Sequence, residues 1–208
     1  MKNKLLKTLA VAAIGLMPLN NTHAAEIHGN VKYIESERKE LSYIQNNNFY
    51  NLPLGIKGYT FFELYKDKGY YGKTSLERAI TDNVNIKGQV IHTNNPVSKE
   101  GIGISAKLPT KKFNFKASYL PFWVDKSGKH IDREIAGYSF GTNLPLGAKL
   151  EAFGEWDISK SAQWCYGEIE LSKNFGDLRL SYNPALRARE KGGAIPKLEH
   201  RISVGVNF

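Results

Sequence analysis

A closed, up-and-down antiparallel β-barrel that crosses a membrane is the all-β fold this sequence predicts, on three observations. From residue 26 onward, apolar and polar side chains alternate over stretches of about ten residues, the length of a membrane-crossing strand. The connections between these stretches are alternately short and long, as in a strand meander. The chain then stops on "HRISVGVNF", with Ile202, Val204 and Val206 on one face and Arg201, Ser203, Gly205 and Asn207 on the other. The last residues of a domain usually fray, so a chain ending on such a two-faced strand must have it paired and buried on one side.

The elements follow in order. "MKNKLLK" carries three lysines and no acid, "TLAVAAIGLMPL" is a short apolar run, and "NNTHA" ends in small residues. That is a secretory signal peptide over residues 1–24, leaving 25–208 as one barrel domain. Strands are expected at 26–34, 41–52, 56–65, 71–81, 83–93, 100–108, 112–124, 133–144, 147–158, 162–173, 177–187 and 198–208. The count is twelve, and because the second and fourth alternate least clearly, ten is the other count. Tight turns fall at "TDN", "LPTKK" and "NFGD", and the phrase "NLPLG" occurs twice, from Asn51 and from Asn143, as it would at equivalent positions of a meander.

The two faces differ in kind. One carries Ile56, Phe62 and Leu64, then Ile102 and Ile104, Phe115 and Ala117, Leu150, Ile169 and Leu180, with Cys165 expected on this same lipid-compatible side. The other carries Lys57, Glu63, Lys87, Gln89, Lys107, Lys116, Lys149, Glu151, Glu155, Glu168, Glu170, Arg179 and Arg201. Alternation does not say which face is inside, and a soluble lipocalin-like barrel would place the apolar one there. The aromatic C-terminus, a strand count above the eight of a lipocalin and aromatics near strand ends favour a membrane barrel. Tyr65, Tyr70, Tyr71, Trp123, Trp156 and Trp164 near the long loops, and Phe113, Phe175, Tyr182 and Phe208 near the short turns, fit interfacial girdles.

Composition narrows the function. A mean hydropathy of −0.40 excludes a helical membrane bundle, and a single cysteine excludes an internal disulfide. The formal charge is +9, three of it from the signal-peptide lysines. The bases alternate with acids along strands instead of clustering, which argues against nucleic acid as a partner.

If the charged face lines a lumen, its signs are segregated. Lys87, Lys107 and Lys116 sit on the fifth to seventh strands, and Glu151, Glu155, Glu168 and Glu170 on the ninth and tenth. Opposed walls of this kind set up a transverse field, so these seven residues, with Arg179 and Arg201, are the candidate pore lining. The competing expectation is a plugged barrel in which Lys149, Arg179, Arg187 and Arg201 pair with the acids and fill the interior. No catalytic, metal or cofactor site is expected. His28, His92, His130 and His200 lie on separate segments, the "SERK" at Ser36 has no companion motif, and "GIG" at Gly101 lacks a phosphate loop's third glycine.

Through its signal peptide, its alternating meander and its terminal "ISVGVNF", the chain resembles Gram-negative outer-membrane β-barrel proteins. Within them it looks like the small monomeric solute channels, either Tsx-like nucleoside channels or acidic-oligosaccharide porins, although no motif specific to either is present. The resemblance implies passive diffusion of small hydrophilic solutes, contact with membrane lipid and lipopolysaccharide, and recognition of Phe208 by the barrel-assembly machinery. A surface-interaction barrel without transport and a lipid-modifying enzyme are the other functions such barrels serve. The short, lysine-rich outer loops offer little surface for a protein partner.

Overall fold

The computed structural model describes residues 26–37, 42–65, 69–94, 99–108, 110–159, 163–187 and 197–208. The signal segment expected at residues 1–24 lies outside them. Fifteen strands form one sheet: β1 (Glu26–Ser36), β2 (Tyr43–Leu52), β3 (Ile56–Tyr65), β4 (Tyr70–Ala79), β5 (Val84–Thr93), β6 (Lys99–Leu108), β7 (Asn114–Asp125), β8 (His130–Ile131), β9 (Ile135–Asn143), β10 (Ala148–Asp157), β11 (Gln163–Phe175), β12 (Leu178–Tyr182), β13 (Ala185–Arg187), β14 (Lys197–Glu199) and β15 (Arg201–Asn207). Every pairing is antiparallel. The ring closes because β10 pairs with β11 while β1 pairs with β15.

Twelve walls result. β12 and β13 are one wall interrupted at Asn183 and Pro184, and β14 and β15 are one wall interrupted at His200. The two-residue β8 pairs only with the outer end of β7. Twelve, not ten, is therefore the count, and β2 and β4 are both full members.

The chain end is held on two sides. β15 pairs with β1 and β12, and the Phe208 backbone exchanges both hydrogen bonds with Gly29, at 2.9 and 3.0 Å. Gly29 is required there: a Cβ would run into the Asn47 carbonyl and come within 3.0 Å of the Phe208 ring. The repeated "NLPLG" makes the same turn twice. Leu54 and Leu146 have φ of 69° and 62°, and Gly55 and Gly147 follow at 70° and 74°. Two successive left-handed residues make the type I′ turn that matches the twist of a hairpin.

The barrel is inside-out compared with a soluble one. Val204, Ile202, Leu171, Ile169, Ile104 and Val31 are exposed on the outside, while Lys32, Glu168, Glu170 and Arg201 are buried on the alternate positions. The apolar face is the outer one.

Two bulges change the alternation locally. In β7 one extra residue stands between Tyr119 and Phe122, opposite Gly103, so the side chain of Trp123 turns inward. Its indole N–H donates to the Leu120 carbonyl within the bulge, at 3.0 Å. In β11 the extra residue is Cys165, between Trp164 and Tyr166. Cys165 packs on an inner apolar cluster of Ile91, Leu120, Trp123 and Ile135, not on the outer face where strict alternation puts it. Trp123, Tyr65 and Tyr71 are thus interior residues and take no part in an outer girdle. "GIG" has a structural reason: a Cβ on Gly101 would meet the Trp123 ring at 2.6–2.8 Å, and one on Gly103 would strike the bulged backbone.

Candidate functional site in the barrel interior

One contact fixes the interior as a shared space. Lys73 on β4 and Glu155 on β10 lie on nearly opposite walls, yet their side chains meet at 2.5 Å. An ion pair of that span crosses the lumen, and both side chains are mostly shielded from solvent.

The charges form three groups. Along one wall, Glu77 of β4 takes the Lys116 ammonium at 2.8 Å, with Lys87 at 3.9 Å, and Lys87 also reaches the Ser118 hydroxyl at 3.4 Å. Toward the short-turn end of the other wall, Glu151 and Glu170 stand directly opposite each other on β10 and β11. Two carboxylates so placed repel. Arg179 clamps them, its Nη2 donating to Glu151 at 2.8 Å and to Glu170 at 2.9 Å, while Lys32 adds a bond to Glu170 at 2.9 Å and Lys149 one to Glu151 at 2.8 Å.

The third group is the most enclosed. The Arg201 guanidinium donates to Glu199 at 2.8 Å, to the hydroxyls of Tyr43 and Tyr166 at 3.0 Å, and to Glu168 at 3.1 Å. Asn183 donates to the other oxygen of Glu168 at 2.9 Å, and Ser36 donates to Glu199 at 2.8 Å. Nε and Nη1 thus meet acceptors, as so buried a charge requires, while Nη2 has none among the described residues.

The nine residues singled out by the sequence, Lys87, Lys107, Lys116, Glu151, Glu155, Glu168, Glu170, Arg179 and Arg201, all lie on the inward face. They do not form two walls of unpaired like charge. Lys87 and Lys116 engage Glu77 on one side; on the other, Glu151, Glu168 and Glu170 engage Arg179, Lys32, Lys149 and Arg201, and Glu155 reaches across to Lys73. Lys107 stands at the exposed short-turn rim, in register with Lys116. The side chain of Arg187 lies outside the described residues. Lys32 of β1 and Lys73 and Glu77 of β4 are not among the nine; for the last two the reason is that β4 alternates weakly, its "KTSLER" mixing both signs on a strand of small polar residues.

The interior is not filled evenly along its length. Near the long-loop end, Ile34, Tyr43, Leu120, Trp123, Ile135 and Arg201 are at most 2% exposed. Nearer the short turns, the side chains of Lys149 and Glu151 are 45% and 35% exposed, and Lys116 is 32% exposed. At the outer mouth, beside the apolar cluster, an open cavity of about 790 Å³ is lined by Tyr70, Tyr71, Ile91, Thr93, Lys99 and Arg133, among others. Arg133 lies over the Trp123 ring at 4.8 Å and faces Asp157 at 3.6 Å.

These features define a class by architecture: a small, closed, twelve-stranded barrel with an apolar exterior and a charged, internally paired interior. Among solved structures, the chain is similar to the KdgM porin, with a TM-score of 0.58 at 6% identity over 87% of this chain and 98% of that one. It is similar to the same porin in complex with disordered oligogalacturonate (0.57, 7%, 89% and 98%) and to the NanC porin (0.54, 10%, 88% and 99%). At these identities the likeness is one of fold. No family model matches the chain, and no curated protein matches it.

Proposed function

We propose that this protein is a monomeric outer-membrane channel of a Gram-negative bacterium, through which small hydrophilic solutes diffuse passively. The observation that carries this reading is the inverted polarity: an apolar outer face around the barrel, with ionic side chains inside, linked across the lumen by Lys73 and Glu155. Hydrocarbon accepts the first, and a hydrated path needs the second. The similarity in fold to the KdgM and NanC porins adds support, and it favours transport over enzymatic chemistry. Membrane lipid and lipopolysaccharide are the partners of the outer face and loops, and Phe208, closed against Gly29, is the residue offered to the assembly machinery.

Ion preference in this reading is set by the lysine wall. Purified protein in planar bilayers should give small, discrete, salt-dependent conductances, and K87E combined with K116E should shift preference toward cations. A second reading has its own observation: Arg179, Arg201 and Lys149 hold the acids in pairs, as a plugged structural barrel requires. No conductance above background from correctly folded protein would select that reading and refute the channel.

A further inference from the structure

Five rings on four adjacent strands form a continuous series inside the barrel. His28 on β1 stacks on Phe49 of β2 with centroids 5.3 Å apart, and Phe49 meets Tyr59 of β3 at 4.8 Å. Tyr59 is followed by Phe61 at 5.9 Å, and Phe61 by Tyr71 of β4 at 5.6 Å. The register puts all five on the inward face: His28 opposes Phe49, Phe49 opposes Tyr59, and Phe61 opposes Lys73. The series starts near the short-turn end and climbs to the outer mouth, where Tyr71 lines the 790 Å³ cavity.

Aromatics are common in strands, and an ordinary packed core would account for rings in contact. The surroundings of this series are not those of such a core. Phe49 is 39% exposed, the Tyr59 hydroxyl donates to the Asn47 amide oxygen at 2.8 Å, and the Lys73 ammonium stands 5.9 Å from the centre of the Phe61 ring. On the walls across from the rings, the carboxylates of Glu151, Glu168 and Glu170 are held in ion pairs with Arg179 and Arg201.

We infer that this series is a binding track for uncharged saccharides. A pyranose has a flat face of C–H groups and an edge of hydroxyls. The ring faces of Phe49, Tyr59, Phe61 and Tyr71 suit the first. The Asn47 amide beside the rings and the remaining lone pairs of the paired carboxylates on the facing walls suit the second, because hydrogen bonds to a carboxylate are the stronger kind. The lumen cations Lys32, Lys73 and Arg179 are already engaged by carboxylates, so an acidic sugar gains no unpaired counter-ion from them. Successive rings 4.8–5.9 Å apart let a saccharide exchange one stacking partner for the next without leaving the wall. The inference deepens the channel reading by naming its solute, and it is tested by a measurement that does not depend on conduction.

The test is calorimetric titration of detergent-solubilised full-length protein with maltohexaose and, separately, with a galacturonic acid trimer, alongside bilayer recordings. Wild-type protein should bind maltohexaose, and more tightly than the acidic trimer. F49A and F61A should each weaken binding by about fivefold to tenfold, the worth of one aromatic contact. F61W should retain it. F62A, on the outer face against Tyr70, should leave it unchanged and controls for folding. Absence of binding to wild-type protein, wild-type affinity in F49A and F61A, loss of affinity in F61W, or tighter binding of the acidic trimer would each overturn the inference. Binding without conductance would retain the track and refute the channel; conductance without binding would do the reverse.

Discussion

Lys73 and Glu155 give the sharpest test of how the interior is held. At 2.5 Å, two unit charges attract by about 7 kcal/mol at an effective dielectric of about 20. Withdrawing each ion from bulk water costs several kcal/mol, so the pair as a whole contributes close to nothing net. Removing one partner forfeits the attraction and leaves the other ion poorly solvated. That loss runs to about 3–5 kcal/mol for fully buried pairs. The two side chains are 13% and 18% exposed, which puts K73M or E155M near the lower end, at about 3 kcal/mol. The double variant K73M/E155M replaces the strut by two apolar chains and should lie within about 1 kcal/mol of wild type. Urea titration of protein refolded in lipid vesicles, followed by tryptophan fluorescence, gives all four free energies. If the two single losses add in the double variant, to within about 0.5 kcal/mol, the cross-lumen pair is not the coupled unit described here. Removing the strut should also raise unit conductance, since it crosses the lumen.

Two other perturbations bear on the frame. L54N and L146N place a residue that tolerates the left-handed region at a position where leucine is strained, and each should raise stability by about 1 kcal/mol in the same titration; unchanged or lower stability would show that the turns are not strained as their φ values indicate. G101V drives a side chain into the Trp123 ring, 2.6–2.8 Å from the new Cβ, and should cost about 2–3 kcal/mol with a red-shifted tryptophan emission, whereas G88V, with nothing within 4 Å, should do neither.

The frame was legible because a sheet with one apolar face and one polar face has a period of two, and a closed barrel repeats that period without helices to interrupt it. Strand limits from the alternation agree with the structure to within a few residues at β3, β5 and β10. The short turns showed themselves through Pro, Gly, Asn and Asp, and "NLPLG" in both its copies gives the same backbone. The inward charged residues were legible for the same reason. Their partners were not. Which base meets which acid depends on strand tilt and on distance across the lumen, and neither is written in local sequence. Lys32 to Glu170 and Lys73 to Glu155 join residues 138 and 82 positions apart.

The same limit accounts for Trp123 and Cys165. A bulge inserts one residue and reverses the face of everything beyond it, so a strictly alternating reading places Trp123 outside when it is inside. That single reversal has a large consequence for the outer mouth. Trp123, with Leu120, Ile135 and Ile91, fills one side of the barrel with apolar groups that no hydrated solute would cross. The open space at this end lies beside that cluster, against Tyr71, Thr93, Lys99 and Arg133. Tyr71, the uppermost of the five rings, is among the residues that line it. The bulge in β7 thus does more than redirect one indole: it supplies the centre of the apolar cluster beside which the cavity at this end lies.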